Sequence, residues 1–357
     1  MEIGKKRIWQ VAAGDTNRNY ADLCLNWDVI LNGPGSAGAW PECQQALRED
    51  WKLSSRKITD IRRFAEEIED GDLVVLRMGT TDVFGVGAIV GSYEWNEEFG
   101  DIDGWDLQHI RRVRWLWRYD EEPQRFDTYT LKLGDTVQIM DSQPVIDWIT
   151  ALSIDQKAVD RPLIELSAPS KNSDWNEISE YLFDQGVASN AIEKLTDEID
   201  ELIRISKWYQ RTGSPSESET VAYLVVPLLR ALGWTPQKMA IEWSSVDIAL
   251  FNTLPRNDEH LSVVVEAKQK DRSCLNAQSQ ALTYAEQEGR SSCRRLIVTD
   301  GVRYGVYFKQ DGAFRNEPHA YLNLTRMREE YSLLHCKGAK EAFLFMSADW
   351  VPTTVKT

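Results

Sequence analysis

Asp247, Glu266 and Lys268 are the residues of this chain whose types and spacing could do chemistry. Asp247 lies in the strand-like run SSVDIALF (Ser244–Phe251). Nineteen residues later, Glu266-Ala267-Lys268 falls near the end of LSVVVEAKQ (Leu261–Gln269), whose triple valine marks a buried strand. Glu266 and Lys268 stand at i and i+2, so the two-residue period of a strand sends both to one sheet face. If the two runs pair as a hairpin, Asp247 meets them across the ladder. Two carboxylates and a lysine near the end of apolar strands are costly to bury without a partner. A divalent cation relieves that cost. A few hard oxygen ligands, with positions left for water and phosphate, describe a Mg2+ site. Such an ion polarises a phosphodiester and lowers the pKa of its bound water, while Lys268 orients that water or helps deprotonate it. Without a cation, the same residues read as an exposed strand end with Lys268 salt-bridged and both carboxylates solvated.

The elements that must position this set are legible around it. SESETVAYLVVPLLRAL (Ser216–Leu232) is an amphipathic helix entered through Ser214-Pro215-Ser216 and closed by Gly233, with a kink or break expected at Pro227. Glu219 lies near its start. A helix over about Asn276–Gln287 follows the second strand and carries Gln280 and Tyr284, four apart and hence on one face. RRLIVTDGVRYGVYFK (Arg294–Lys309) is two short strands around a Thr-Asp-Gly turn. Helix, strand pair, helix, strand is a mixed α/β sandwich. Upstream, Ile192, Leu195, Ile199, Leu202 and Ile205 are spaced as a helix, and a break at Asp184–Asn190 makes two helices of the stretch around 160–212. They are expected to form a connecting helical hairpin, with a boundary at Thr212-Gly213-Ser214-Pro215.

Composition sets the outer limits. The 357 residues suffice for two or three domains, and 42% hydrophobic with 27% charged residues is globular. No run approaches the ~18 apolar residues of a membrane span, and Met1–Gln10 has no apolar core of a secretory signal. Five scattered cysteines and four histidines form neither a disulfide framework nor a His-rich metal site, which points to a reducing cytoplasm and to carboxylates as metal ligands. The net charge of −15 is uneven: residues 1–150 carry 17 basic and 27 acidic side chains, whereas residues 211–357 carry 18 and 17. Nucleic-acid binding is therefore neither excluded nor supported by the total.

The order Glu219, Val246-Asp247, Glu266-Ala267-Lys268, Gln280-Ala281-Leu282-Thr283-Tyr284 resembles the PD-(D/E)xK nuclease superfamily. It is most similar to the nuclease module at the N-terminus of type I restriction motor subunits. SETVAYLVVPLLRALGW, VDIAL, VVVEAK, QALTY and LIVTDGVRYGVY carry the likeness over about Ser216–Phe308, with Val246 in place of the proline of the superfamily name. The resemblance implies Mg2+-dependent cleavage of DNA, with Mn2+ able to substitute. It implies Asp247, Glu266 and the Ala267 carbonyl as metal ligands and Lys268 as the catalytic lysine. Glu219 would be an accessory carboxylate, and Gln280 with Tyr284 substrate-side support. No GxxxxGK(S/T) phosphate loop is present in the sequence, so no nucleotide-driven translocation is expected of it.

Nine of fourteen tryptophans lie in the first 150 residues. Short strands at Arg7–Ala13, Asp72–Met78, Val83–Trp95 and His109–Tyr119, with a helix at Ile58–Glu69, predict a mostly antiparallel β-barrel. Most of its tryptophans are expected in the core. The Gly-rich Asn32–Gly38 loop leading to Trp40 could instead carry an aromatic cage for a flipped base. WQVAAGD, NWDVILNGPG, IRRFAEEIEDGDLVVLR and VFGVGAIVGSYEW resemble the PUA-like group that includes the EVE and YTH domains, over about Lys6–Leu116. That resemblance implies a reader of modified bases. The candidate cage is Trp9, Trp27, Trp40 and Trp95 with Asp28 or Asn32 as edge readers, and Arg111, Arg112, Arg114 and Arg118 are candidate phosphate contacts, although a solvated strand face explains those arginines nearly as well.

The expected architecture is multidomain α+β: a PUA-like β-barrel sensor over residues 1–155, a helical linker over 156–212 and an α/β restriction-endonuclease-like domain over 213–357. The expected function is a modification-dependent restriction endonuclease in the cytoplasm, binding double-stranded DNA with a modified base and working as a homodimer. The rival readings are a non-catalytic modified nucleic-acid reader, and a nuclease whose N-terminal domain binds a ligand other than DNA.

Overall fold

The apolar alternation of the N-terminal half becomes strands β1 (Ile8–Ala12), β2 (Val29–Asn32), β3 (Leu73–Met78), β4 (Asp82–Trp95), β5 (His109–Arg118), β6 (Gln124–Arg125) and β7 (Val137–Ile139). The computed structural model describes residues 6–15, 18–154 and 156–352. It is a mixed α+β chain that divides into two compact units, Met1–Pro169 and Ser170–Thr357.

In the first unit the strands run β2-β5-β4-β3-β1-β7, with β6 on the start of β4. β1 and β3 are parallel, Trp9 opposite Val74, and the other pairs are antiparallel. A mostly antiparallel β-barrel was expected; the strand path is open, since among the described residues nothing pairs β2 with β7. Irregularities at Val86/Gly87 and Val90/Glu94 let the 14-residue β4 bend along β5 while its first half stays under β3. Ile8, Leu73, Val75, Val83 and Val86 pack with Val145 and Ile149 of the Gln143–Ala151 helix. A second cluster joins Trp40 and Leu47 to Ile58 and Ile61 of the Ser55–Arg62 helix.

The second unit is one eight-stranded sheet of β8 (Met239–Trp243), β9 (Val246–Phe251), β10 (Leu261–Ala267), β11 (Arg295–Thr299), β12 (Arg303–Phe308), β13 (Ala320–Asn323), β14 (Glu330–Tyr331) and β15 (Cys336–Lys337), in the order β14-β15-β13-β12-β11-β10-β9-β8. β10 is antiparallel to β9 and parallel to β11. Val263 and Val265 enter one core, Val264 the other, so both faces are covered and the run reads as continuously apolar. The Gln278–Ala285 helix covers the Val264 side through Ala281 and Ala285.

The helices expected as a linker have another role. Ile178 and Leu182 of Trp175–Asp184, and Ile192, Leu195, Ile199 and Leu202 of Ser189–Thr212, pack with Leu224, Leu228 and Phe343 in the second unit's core. Their apolar stripe is buried against the sheet unit and not between two helices alone. Only the short Gln156–Asp160 helix falls within the first unit. The Pro227 irregularity takes the form of a π turn at Val221–Val225, between Glu217–Thr220 and Val226–Ala231. The widened turn accommodates a residue without an N–H.

The Thr299-Asp300-Gly301 turn seats the Glu217–Ala231 segment on the sheet. Buried Asp300 accepts from the Val302 and Arg303 amides at 3.0 and 2.7 Å, and Gly301 has φ +82°. A Cβ on Gly301 would lie 2.7 Å from the Leu224 Cβ. Gly301→Ala combines that clash with a left-handed backbone, so it is expected to destabilise the protein by roughly 2–4 kcal/mol, read as a fall in the denaturant midpoint. An unchanged midpoint would show that the helix can shift away freely.

Candidate active site

A two-residue turn starts β9. Trp243 pairs with Val246 across Ser244 and Ser245, which both hold positive φ (46° and 71°) as a type I′ hairpin requires. Asp247 is the second residue of the strand. β9 and β10 stay in register as far as Ile248 opposite Val265 and then part. In the opening, Asp247 Oδ2 accepts the Ala267 amide at 2.7 Å, so a carboxylate takes the place of a ladder carbonyl.

Glu266, opposite Val298 of β11, is 2% exposed. Its Oε1 lies 3.4 Å from Lys268 Nζ, while its Oε2 is buried with no hydrogen-bond partner. Burial, then the neighbouring charge of Asp247, pushes the Glu266 carboxyl up to about 7 against the opposing pull of Lys268; Glu217 adds to the rise. The Lys268 amide donates to Thr299 O at 2.8 Å, and Nζ donates to Gln280 Oε1 at 3.0 Å. Gln280 Nε2 in turn donates to the Tyr284 hydroxyl at 3.2 Å. Asp247, Glu266, Lys268, Gln280 and Tyr284 are thus brought to one strand end, beneath the helix that the i, i+4 spacing implied.

Glu219 is not part of this set. Its carboxylate accepts from the Ser216 amide at 2.7 Å while Ser216 Oγ accepts from the Glu219 amide at 3.1 Å, a capping box that holds its pKa below the usual range. The carboxylate that Glu266 feels from this helix is Glu217. The signal was in the sequence: Ser216-x-x-Glu219 is the capping pattern, which leaves Glu217 as the first-turn acid with no local task. Two bonds hold the helix start to the strand end, Gln269 Nε2 to Pro215 O at 2.7 Å and the Lys270 amide to Thr220 Oγ1 at 3.2 Å.

Among the described residues no three His, Cys, Asp or Glu side chains cluster tightly enough to hold a metal by themselves. The donors here are two carboxylates and the Ala267 carbonyl. They fit a hard cation that keeps most of its water, and the unpartnered Glu266 oxygen is what such an ion would satisfy.

The candidate cage of the first unit is not assembled. Trp9 is buried and its indole donates to Asp72 Oδ2 at 2.8 Å; Trp40 is buried and donates to Glu66 Oε1 at 2.7 Å. Trp27 is buried at the end of the Ala21–Trp27 helix, and Trp95 donates to Gly35 O at 2.8 Å. The Gly33–Trp40 loop is pinned. His109 bridges the Tyr93 hydroxyl (2.7 Å) and Pro34 O (3.0 Å), and the same hydroxyl accepts the Trp40 amide at 3.0 Å. Burial holds His109 down at about 4, so it is a neutral brace. Asn32 belongs to a buried network, accepting from Lys57 Nζ at 2.9 Å and donating to Asp60 at 3.4 Å.

Asp28 and the arginines are equally committed. Asp28 is fully buried and receives Arg118 (2.8 Å), Arg161 (2.6 Å) and the Ile164 amide (2.9 Å). Arg111, also buried, donates to the carbonyls of Phe64, Ala65 and Ile68, closing the end of the preceding helical segment. Arg112 donates to Ile164 O and Arg114 to Val159 O. These are structural bonds of the first unit, not a free phosphate-binding face. Alternation along β5 cannot distinguish the two.

A cavity of about 370 Å3 lies elsewhere in this unit, at the end of β1. Ala12, Tyr20, Arg77, Trp105, Asp135 and Thr136 are among its walls. Tyr20 and Trp105 meet edge to face at 5.5 Å, and the Arg18 guanidinium lies 5.0 Å from the Trp105 ring. Neither aromatic was distinguishable from core by sequence spacing.

The fold and site define a two-unit α+β protein with a carboxylate–lysine cluster on a parted strand end. Residues 9–140, which run from β1 through β7, match a family described as a domain of unknown function (DUF8426). No curated protein and no solved structure matches the chain. Among the described residues no helix is long and apolar enough to cross a membrane.

Proposed function

We propose that this chain is a modification-dependent restriction endonuclease. The second unit, on its resemblance to PD-(D/E)xK nucleases, hydrolyses phosphodiester bonds of DNA; the first, on its resemblance to PUA-like domains, selects DNA that carries a modified base. The observation that carries this reading is the buried, unpartnered Glu266 oxygen beside Asp247 and Lys268.

Asp247, Glu266 and the Ala267 carbonyl would hold Mg2+, or Mn2+ in its place. When bound, the ion supplies Lewis acidity at the phosphate and a more acidic water. The chain's residues do the rest. Glu266 gives up the proton that burial favours, and its ionised form matches the added positive charge. Lys268, tied between Glu266 and Gln280, presents a remaining N–H to the attacking water or to a phosphate oxygen and offsets the negative charge that develops there. The Gln280 amide is oriented by Tyr284 so that its oxygen, not its nitrogen, faces the ammonium.

In the first unit the Tyr20–Trp105 cavity replaces the expected cage as the base site. It offers an aromatic wall for stacking, a polar wall with Arg77, Asp135 and Thr136, and a volume suited to a planar ring. The test is Mg2+ with duplexes bearing methylated, hydroxymethylated or glucosylated cytosine or methylated adenine, cut by the wild type and by Trp105→Ala. The wild type is expected to cut one modified class, and Trp105→Ala to cut it roughly 10-fold more slowly, as loss of one stacking partner implies. Equal cutting of modified and unmodified DNA keeps the nuclease and makes the first unit a receptor for another ligand. Binding of modified DNA without cutting of any leaves a non-catalytic reader.

A further inference from the structure

The Ser189–Thr212 helix is polarised in charge along one exposed stripe. Ser189–Glu201 holds five acidic residues and one basic; Leu202–Thr212 holds Arg204, Lys207 and Arg211 and no acid. Its buried stripe ends on Leu202, Ser206 and Tyr209. Positions 204, 207, 208 and 211 follow the 3–4–7 spacing of a single face, and all four side chains are exposed, Trp208 by 50%. Arg204 pairs with Glu201 at 2.5 Å, while Lys207 and Arg211 have no ion pair among the described residues.

This stripe adjoins the Glu217–Ala231 segment: Ile199 and Leu202 share a buried cluster with Val221, Leu224 and Leu228. Tyr209, beneath it, feels the charges of Glu219 and Tyr223, and Tyr223 is itself 54% exposed. Two residues before Glu219, on the same first turn, stands Glu217, whose charge reaches Glu266. The helix dipole favours basic residues near a C-terminus. It gives no reason for a half-exposed Trp among them, or for an exposed Tyr on the neighbouring helix. Cations interleaved with aromatics suit a phosphate backbone with bases at its edge.

We infer that Arg204, Lys207, Trp208 and Arg211, with Tyr223, form the surface that seats the DNA backbone flanking the scissile phosphate. The inference rests on the nuclease reading above. Charge complementarity selects the occupant: the stripe is locally cationic in a chain of net charge −15, and DNA is the polyanion that the site beside it would cut.

The test measures DNA binding by fluorescence anisotropy between 50 and 300 mM salt, in Lys268→Ala so that the duplex stays intact. Adding Lys207→Ala and Arg211→Ala is expected to weaken binding roughly 10-fold at 0.1 M salt and to flatten the log–log salt slope by about 2, since each phosphate contact on duplex DNA contributes about 0.9. Trp208→Ala is expected to weaken binding with the slope unchanged. The exposed positions leave the fold intact, which circular dichroism checks. An unchanged slope in the Lys207/Arg211 variant, with cutting by the wild type intact, overturns this surface and leaves the nuclease standing. A dimer that Trp208→Ala dissociates without changing the slope overturns it in favour of a second copy of the chain. Absence of both binding and cutting by the wild type overturns the nuclease reading and this surface together.

Discussion

On the proposed nuclease reading, Lys268→Ala is expected to lower Mg2+-dependent DNA cleavage by at least about 10³-fold, with the fold and DNA binding retained. The size follows from the geometry. Lys268 is the only cation bonded to Glu266 among the described residues, and its Nζ is fixed from two sides, by Glu266 Oε1 at 3.4 Å and Gln280 Oε1 at 3.0 Å. A positioned group that either moves a proton or offsets charge at the phosphate contributes about 10²–10⁴ in rate. The side chain is partly exposed, so its removal leaves no large cavity. Single-turnover cleavage of a modified duplex measures the loss. Cutting at the wild-type rate by Lys268→Ala would mean that the cluster is a salt-bridged strand end and not the site of chemistry.

Glu266→Gln should separate function from stability in opposite directions. In the folded protein the Glu266 carboxyl titrates near 7 against an ordinary value of 4.5, because burial and Asp247 disfavour its charge. Below pH 4.5 both states carry the proton and the contribution to stability is complete. Between 4.5 and 7 the unfolded chain ionises first, so stability falls as pH rises, by on the order of 3 kcal/mol at the limit. Above 7 the folded site holds a buried charge with one oxygen unpartnered. Glu266→Gln removes that ionisation. Its metal-free form is therefore expected to melt several degrees higher than the wild type at pH 8 and no higher at pH 4.5. Mg2+ should raise the melting temperature of the wild type at pH 8 and fail to raise that of Glu266→Gln, which should also not cut. Equal Mg2+ stabilisation of both proteins would place the ion elsewhere. If Glu266 is a ligand, the same linkage predicts that Mg2+ affinity rises with pH through 7, because the carboxyl would have to be ionised to bind.

Much of this was written in the chain. The i, i+2 spacing of Glu266 and Lys268 and the i, i+4 spacing of Gln280 and Tyr284 are consequences of strand and helix periods, and periodicity is local. The strands β1, β3, β4, β5, β9, β10, β11 and β12 were readable for the same reason. The capping box was readable too: Ser216-x-x-Glu219 is the pattern that engages the Glu219 carboxylate with the Ser216 amide.

The rest depended on contacts between residues far apart in sequence. An amphipathic helix records that one face is buried but not against what, so Trp175–Asp184 and Ser189–Thr212 could be read as a linker while in fact covering the second unit's core. Alternation along β5 records that Arg111 shares a face with Val113 and Trp115 while Arg112 and Arg114 share the other, but not that the carbonyls of Phe64, Ile164 and Val159 wait for them. A tryptophan's composition value is the same in a core as in a cage, and only folding decided that Trp9 and Trp40 give their indole N–H to Asp72 and Glu66. Sequence by itself determined which residues could share a face at the end of β10. Tertiary structure alone decided that β9 and β10 part there and that one Glu266 oxygen is left without a partner. Burial and unpaired charge are properties of the assembled neighbourhood, set by side chains that spacing along the chain does not bring into view.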